Sequence, residues 1–208
     1  MSELKRRISK GEGTHLDFKF RIDDQKKIAR TLAGFANSDG GSLLIGVKDN
    51  GKISGCNPEE EFYMIEGASS VFTKPPVSFE SKVWQEEHHL VLEIQVPKSE
   101  EKHKAPDEDG QYKFYLRIDD HTLLANRITL LLWKFLKEGK DRPETFTEDF
   151  SELMKIIRDN QPVSISKIFR ESQLPKKEIT ERIATLLYWE VIELMVTDSG
   201  MKYSLLLE

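Results

Sequence analysis

The chain alternates between short apolar runs and longer amphipathic segments. Apolar runs at residues 16–20 and 42–47 predict strands, whereas apolar side chains three and four positions apart predict a helix over residues 24–37. Asp23 or Asp24 is the expected cap of that helix. The same criteria predict further strands at residues 77–83, 89–96 and 112–118, further helices at 58–74 and 127–136, and a charged loop at 97–110. The first part of the chain is therefore predicted to be an α+β domain.

A second pattern follows a polar, proline-containing stretch. Residues 139–147 lack an apolar period and are predicted to be a linker between domains at 1–138 and 148–208. Beyond it, helices are predicted at residues 150–160, 165–172 and 176–190, followed by strands at 192–196 and 202–206 around an Asp-Ser-Gly turn. Three helices followed by a hairpin is the order of a small winged helix-turn-helix domain.

Composition restricts the classes of protein that fit this pattern. Of the 208 residues, 38% are hydrophobic and 32% charged, which is typical of a folded globular chain. No segment approaches the ~18 uncharged apolar residues of a membrane span, and no apolar run follows the basic N-terminus as in a signal peptide. We therefore expect a cytoplasmic protein without membrane contact. Cys56 is the only cysteine, which excludes an internal disulfide and a cysteine-based zinc cluster.

Charge is unevenly distributed along the chain. The net charge is −5, yet residues 1–30 hold nine Lys and Arg against five Asp and Glu. That excess predicts either an anion-binding face or a solvated helix surface. Residues 148–208 hold eight basic and eleven acidic side chains, so the predicted winged helix could contact DNA or dock a protein.

Three motifs carry a family resemblance. The chain reads GEGTHLDFK over residues 11–19, IARTLAGFANSDGGSLLIGVKDNGKISG over residues 28–55, and KFYLRI with HTLLA over residues 113–125. In this order and spacing they resemble the Schlafen AlbA-type family, over about residues 8–135. The resemblance implies a mixed-sheet domain that binds nucleic acid. There is no GxxxxGK[ST] motif, so the sequence does not predict a P-loop nucleotide site, and Gly40-Gly41 is either a structural turn or a phosphate-binding one.

An enzymatic alternative rests on three carboxylates. In eukaryotic members of the resembled family, an acidic trio is implicated in metal-dependent RNA cleavage, and the motifs place Glu12, Asp17 and Asp49 at those positions. They would hold Mg²⁺ or Mn²⁺ in an endoribonuclease. Asp17 departs from the usual Glu and is shorter. The structural alternative is that Glu12 caps or pairs with a cation and Asp49 opens a turn.

The leading interpretation is a non-enzymatic DNA-binding transcriptional regulator without a cofactor, in which both domains contact nucleic acid. Duplex DNA is the expected partner and RNA a possible one, and a homodimer is expected because operators are symmetric. Arg117 has two open roles, a phosphate contact or a pair with Asp119 and Asp120. The predicted contacts are Lys19, Arg21, Lys26, Lys27, Arg30 and Arg117 in the first domain and Lys176, Lys177 and Arg182 nearer the bases.

Overall fold

The computed structural model describes residues 1–139 and 147–206, and the chain forms two compact units, Met1–Leu124 and Ala125–Glu208. The first unit is mixed α+β. Its elements are α1 Glu3–Ile8, β1 Leu16–Lys19, α2 Gln25–Asn37, β2 Gly41–Ile45, α3 Pro58–Phe72, β3 Glu80–Glu86, β4 His89–Val96, β5 Lys104–Pro106, β6 Tyr112–Ile118 and β7 His121–Leu124.

The first unit contains a mixed four-stranded sheet in the order β1-β2-β4-β3. Strands β1 and β2 are parallel, whereas β2 with β4 and β4 with β3 are antiparallel. Strands β5, β6 and β7 form a second, antiparallel sheet. The mixed sheet confirms the predicted α+β class for this part of the chain.

Alternate side chains of the first sheet enter two different cores. Leu43 and Ile45 of β2 pack with α2 and α3, whereas Leu44 packs with Leu4 of α1 and Phe18 of β1. This is the period of two expected of a sheet that is covered on both faces. Helix α1 is a short segment that begins at the Ser2 cap and was not predicted. The sheet therefore has α2 and α3 on one face and α1 on the other.

In its described residues, 125–139 and 147–206, the second unit comprises four helices and a hairpin. Its elements are α4 Arg127–Glu138, α5 Glu148–Asn160, α6 Ile165–Glu171, α7 Lys176–Tyr188, β8 Ile192–Thr197 and β9 Gly200–Leu205. Strands β8 and β9 are antiparallel. One apolar cluster joins α5, α6, α7 and the hairpin through residues that include Ile157, Ile168, Ile183, Ile192 and Tyr203.

The domain boundary differs from the predicted one. Helix α4 belongs to the second unit, because Ile128 is 3% exposed within that unit's apolar cluster and Leu131, Leu132 and Phe135 pack against it. The boundary thus falls after Leu124 rather than after residue 138. Most of the predicted linker, residues 140–146, lies outside the described residues. Within the described part of the chain, no helix is long and apolar enough to cross a bilayer.

Candidate nucleic-acid interface

Two exposed lysines stand at the start of helix α2. The carboxylate of Asp24 caps the helix, accepting hydrogen bonds from the backbone N–H groups of Lys26 at 2.8 Å and Lys27 at 3.2 Å. Both lysine side chains are exposed, and neither forms an ion pair with any residue that the structure describes. Two ammonium groups are therefore available to an anion at a helix end that the backbone dipole makes favourable for negative charge.

Helix α7 begins with a second lysine pair. Lys176 and Lys177 occupy its first two positions and are exposed. The residue before them is Pro175, and no side chain caps the first turn. The first backbone N–H groups of α7 therefore lie beside two lysines and donate to no capping side chain. At α2, by contrast, Asp24 accepts hydrogen bonds from two such N–H groups. The Nζ of Lys176 lies 5.7 Å from the centre of the Phe169 ring.

Arg117 of β6 has a structural position that corrects its predicted phosphate contact. Its side chain is 2% exposed, and its Nη2 lies 3.0 Å from Asp17 Oδ1. Its guanidinium also donates to the carbonyl of Gly13 at 3.2 and 3.3 Å and to Thr122 Oγ1 at 3.3 Å. The donors that a phosphate would need are thus used within the fold. The partner is Asp17 of β1, not the neighbouring Asp119 or Asp120.

The other predicted contacts divide by their partners. Arg182 lies 3.1 Å from Glu178 and also pairs with Asp149, so its guanidinium has partners within the fold, and its contact with bases stays a prediction. Lys19 lies 2.7 Å from Asp17 Oδ2, and Arg30 Nε donates to the carbonyl of Pro106 at 2.8 Å. Arg21 pairs with Asp23 at 2.7 Å, but both side chains are about two-thirds exposed, at 65% and 68%. A pair so exposed contributes little and leaves Arg21 accessible.

The three carboxylates of the nuclease hypothesis do not form a metal-binding group. Glu12 accepts a hydrogen bond from the Phe18 N–H at 2.7 Å, Asp17 is held between Arg117 and Lys19, and Asp49 is exposed at the rim of a cavity of about 700 Å³. Over residues 1–139 and 147–206, no three His, Cys, Asp or Glu side chains are grouped so as to bind a metal ion. The residues present do not fit the predicted divalent cation.

Electrostatics around Glu12 follow from this arrangement. Burial raises the pKa of Glu12 above its usual value, while the hydrogen bond from the Phe18 N–H opposes that rise. The negative charges of Asp17 and Asp49 raise the pKa further. Glu12 is therefore a carboxylate whose charge is disfavoured by its surroundings, and its hydrogen bond to Phe18 of β1 is a local structural contact.

The residues around the end of α2 explain the most specific part of the motif. Asn37 is 2% exposed. Its Nδ2 donates to the carbonyls of His103 at 2.8 Å and Tyr115 at 2.7 Å, and its Oδ1 accepts from the His103 N–H at 2.7 Å. The side chain thus joins α2 to the second sheet. The sequence predicts only that Asn37 ends a helix, because its partner groups on His103 and Tyr115 lie 66 and 78 positions away.

The two glycines after α2 are needed by packing. Gly40 has φ +74°, and a Cβ there would lie 2.7 Å from the carbonyl oxygen of Val96. At Gly41 a Cβ would overlap the ring of Phe35. Of the two roles left open for this pair, the geometry favours the structural turn. His15 belongs to the same corner, with Nδ1 3.1 Å from the carbonyl oxygen of Gly40.

The chain is similar to solved structures at low sequence identity. No curated protein sequence shows significant similarity to the chain. The DIP2311 protein of Corynebacterium diphtheriae is 17% identical, with a TM-score of 0.45 over 91% of this chain and 34% of its own. A second structure is the N-terminal domain of a Nitrosomonas europaea protein described as related to the ATP-dependent DNA helicase RecG. It is 17% identical, with a TM-score of 0.38 over 71% of this chain and 95% of its own. At these values neither structure bears on function.

The family match covers the unit that contains α2 and Arg117. The model of the family described as "Schlafen, AlbA_2" matches residues 12–126, which is more than half of the chain and ends within two residues of the boundary between the units. It includes the carboxylates, the buried arginine and the first lysine pair. The chain belongs to the Schlafen AlbA_2 family.

Proposed function

We propose that the protein binds duplex DNA as a homodimeric transcriptional regulator. In this proposal the second unit is a winged helix whose recognition helix is α7, and the first unit contacts the phosphate backbone through the start of α2. Family membership supports a nucleic-acid-related function. The order of helices α5 to α7 followed by the hairpin supports the winged helix.

One observation carries the proposal: each unit has a lysine pair exposed in the first turn of a thirteen-residue helix. Of the predicted contacts, Lys26, Lys27, Lys176 and Lys177 are exposed and without an ion pair in the described part of the chain. A phosphate at a helix start meets both the ammonium charge and the favourable end of the helix dipole. Such contacts supply sequence-independent affinity, so binding should weaken steeply with salt.

The decisive experiment is a mobility shift on duplex DNA with charge-reversed lysine pairs. Replacing Lys26 and Lys27 by Glu, or Lys176 and Lys177 by Glu, should lower the salt slope of log K by about 1.8 per pair, since each lysine–phosphate contact contributes about 0.9. A matched control is Lys48→Glu with Lys52→Glu, an equal charge change on the exposed turn after β2. We expect the control to keep most of the affinity.

The arms of this experiment separate the alternatives. Equal losses in the control and in the test variants would mean that only net charge matters and would remove the helix starts from the model. Tighter binding to structured RNA than to duplex DNA would make RNA, rather than duplex DNA, the partner. Mn²⁺-dependent cleavage lost in Glu12→Gln would restore the nuclease, and no binding at low salt would favour a protein-docking module.

Regulation itself needs a sequence-selective readout. A library of random duplexes, selected by the protein, should yield an enriched symmetric sequence with two half-sites if α7 contacts bases in a dimer. Enrichment should be lost in the Lys176→Glu, Lys177→Glu variant and kept in the Lys48→Glu, Lys52→Glu control. Retention of all sequences equally would limit the function to non-specific binding.

A further inference from the structure

The first sheet ends in an unpaired strand. Strand β3 pairs with β4 on one side, and no described residue pairs with its other side. It is seven residues long, Glu80–Glu86, contains no proline, and exposes Glu80, Ser81, Lys82 and Val83. Long edge strands are usually shielded in monomeric proteins, because their free N–H and C=O groups pair readily with another strand.

The surface beside this edge is also apolar. Val83 is 50% exposed, and Tyr63 on α3 is 70% exposed. Between them runs a groove of about 410 Å³ that Phe62 and Leu92 also line. A second groove of about 440 Å³ lies at the start of the strand, where Phe79 and Glu80 line it. Ser81 lines the first groove together with Val83.

We propose that β3 pairs antiparallel with β3 of a second copy of this chain, about a two-fold axis at Ser81. In this register Glu80 of each copy lies opposite Lys82 of the other within the strand, and Phe79, the residue just before the strand, lies opposite Val83. Antiparallel partners have Cβ atoms about 5 Å apart, so both charge pairs attract and both apolar pairs come into contact. An isologous contact of this kind closes as a dimer.

Charge selects this register among its neighbours. An axis at Lys82 would place the two Lys82 side chains opposite each other, and an axis at Val83 would place Glu80 opposite Glu86. An axis at Trp84 would pair Lys82 with Glu86, but Glu86 already binds Lys5 at 3.1 Å and is 14% exposed. The Ser81 axis alone joins two solvent-exposed residues of opposite charge that form no ion pair with another described residue. Lys82 Nζ lies 3.5 Å from the centre of the Trp84 ring of its own strand.

The proposal concerns the dimer itself and does not rest on DNA binding, so the test uses the full chain without nucleic acid. Sedimentation equilibrium over a wide concentration range measures the dimer constant of the natural chain, of Glu80→Lys and of Lys82→Glu. Each single change turns two attractive pairs into two repulsive ones, and we expect dimerisation to weaken roughly tenfold or more. Both residues are exposed, and circular dichroism checks that each variant is folded.

Two combinations of these substitutions, recombining the charges, identify the contact. The double variant Glu80→Lys, Lys82→Glu should dimerise like the natural chain, because the charges are exchanged within each pair. An equimolar mixture of the two single variants should form a heterodimer, in which every pair is again attractive. A chain that stays monomeric at high concentration overturns the proposal, as does a dimer that neither single variant weakens or that the recombinations fail to restore.

Discussion

At the start of helix α2 two lysines stand in solvent, whereas at its end an arginine from β6 is buried against an aspartate from β1. The first end exposes the side chains of Lys26 and Lys27, while the carboxylate of Asp24 accepts hydrogen bonds from their backbone N–H groups. The second end uses Arg117 and Asn37 to hold together segments that are far apart in sequence. Positive charge is therefore exposed at the start of this helix and has a structural role at its end.

This difference changes how the family's motif should be interpreted. The helix end, the glycine pair and the arginine on β6 look like binding features in the sequence. In the structure, Asn37 and Arg117 form hydrogen bonds within the fold, and packing leaves no room for a side chain at the two glycines. The lysines at the helix start belong to no specific pattern, yet they are the accessible ones. Burial, rather than residue type, separates the two groups.

Arg117 gives the largest expected effect. Arg117→Leu leaves the buried Asp17 without its guanidinium partner, so the free energy of unfolding should fall by about 3–5 kcal/mol in urea titration. Arg117→Leu combined with Asp17→Leu should recover much of that loss, because no buried charge is left unpaired and Lys19, which also loses Asp17, is 37% exposed. If the double variant is as stable as the natural chain but no longer binds DNA, Arg117 contacts phosphate after all.

Asn37 tests the same end of the helix without a formal charge. Asn37→Ala orphans the His103 N–H and the carbonyls of His103 and Tyr115. Each orphaned buried group costs about 1–3 kcal/mol, so for three groups we expect a loss of at least about 3 kcal/mol. Asn50→Ala, at an exposed turn, is the matched control and should change stability by less than about 0.5 kcal/mol. Equal effects in the two variants would contradict the structural role of Asn37.

How far the sequence predicts these positions depends on the distance between partners. The start and end of α2 follow from its own cap and apolar period, and the structure has them at Gln25 and Asn37. The partner of Arg117 lies 100 positions away, so the adjacent Asp119 and Asp120 were the natural but wrong candidates. Strand β5 is three residues long and exists through its pairing with β6, which a local pattern does not show. Long-range contacts thus decided which predicted basic residues stayed accessible.

Asp24 gives a smaller effect, and one that separates stability from binding. Asp24→Ala removes the cap of α2 and should lower the free energy of unfolding by about 1 kcal/mol. It also removes a negative charge beside the two lysines, so DNA affinity at low salt should rise. Asp24→Ser keeps a capping oxygen without the charge and should retain stability while still binding more tightly. Unchanged affinity in both variants would mean that phosphate does not approach this helix start.

The smallest effect concerns the ion pair that follows the end of α2. Lys98 Nζ lies 2.7 Å from Asp39 Oδ1, and this hydrogen bond lowers the pKa of Asp39 below its usual value of 3.8. A carboxyl group whose pKa is lowered on folding stabilises the protein above its unfolded pKa, and that contribution is lost as pH falls through the folded pKa. Because both side chains are more than 60% exposed, the pair should contribute between about 0 and 1 kcal/mol. The difference in unfolding free energy between the natural chain and Asp39→Asn should therefore be small at pH 7, shrink with added salt, and vanish below the folded pKa.

The buried pair of Asp17 and Arg117 should respond far less to salt, since screening acts mainly on exposed charges. Equal salt sensitivity in Asp39→Asn and in the Arg117 variants would remove the contrast between exposed and buried charge around this helix.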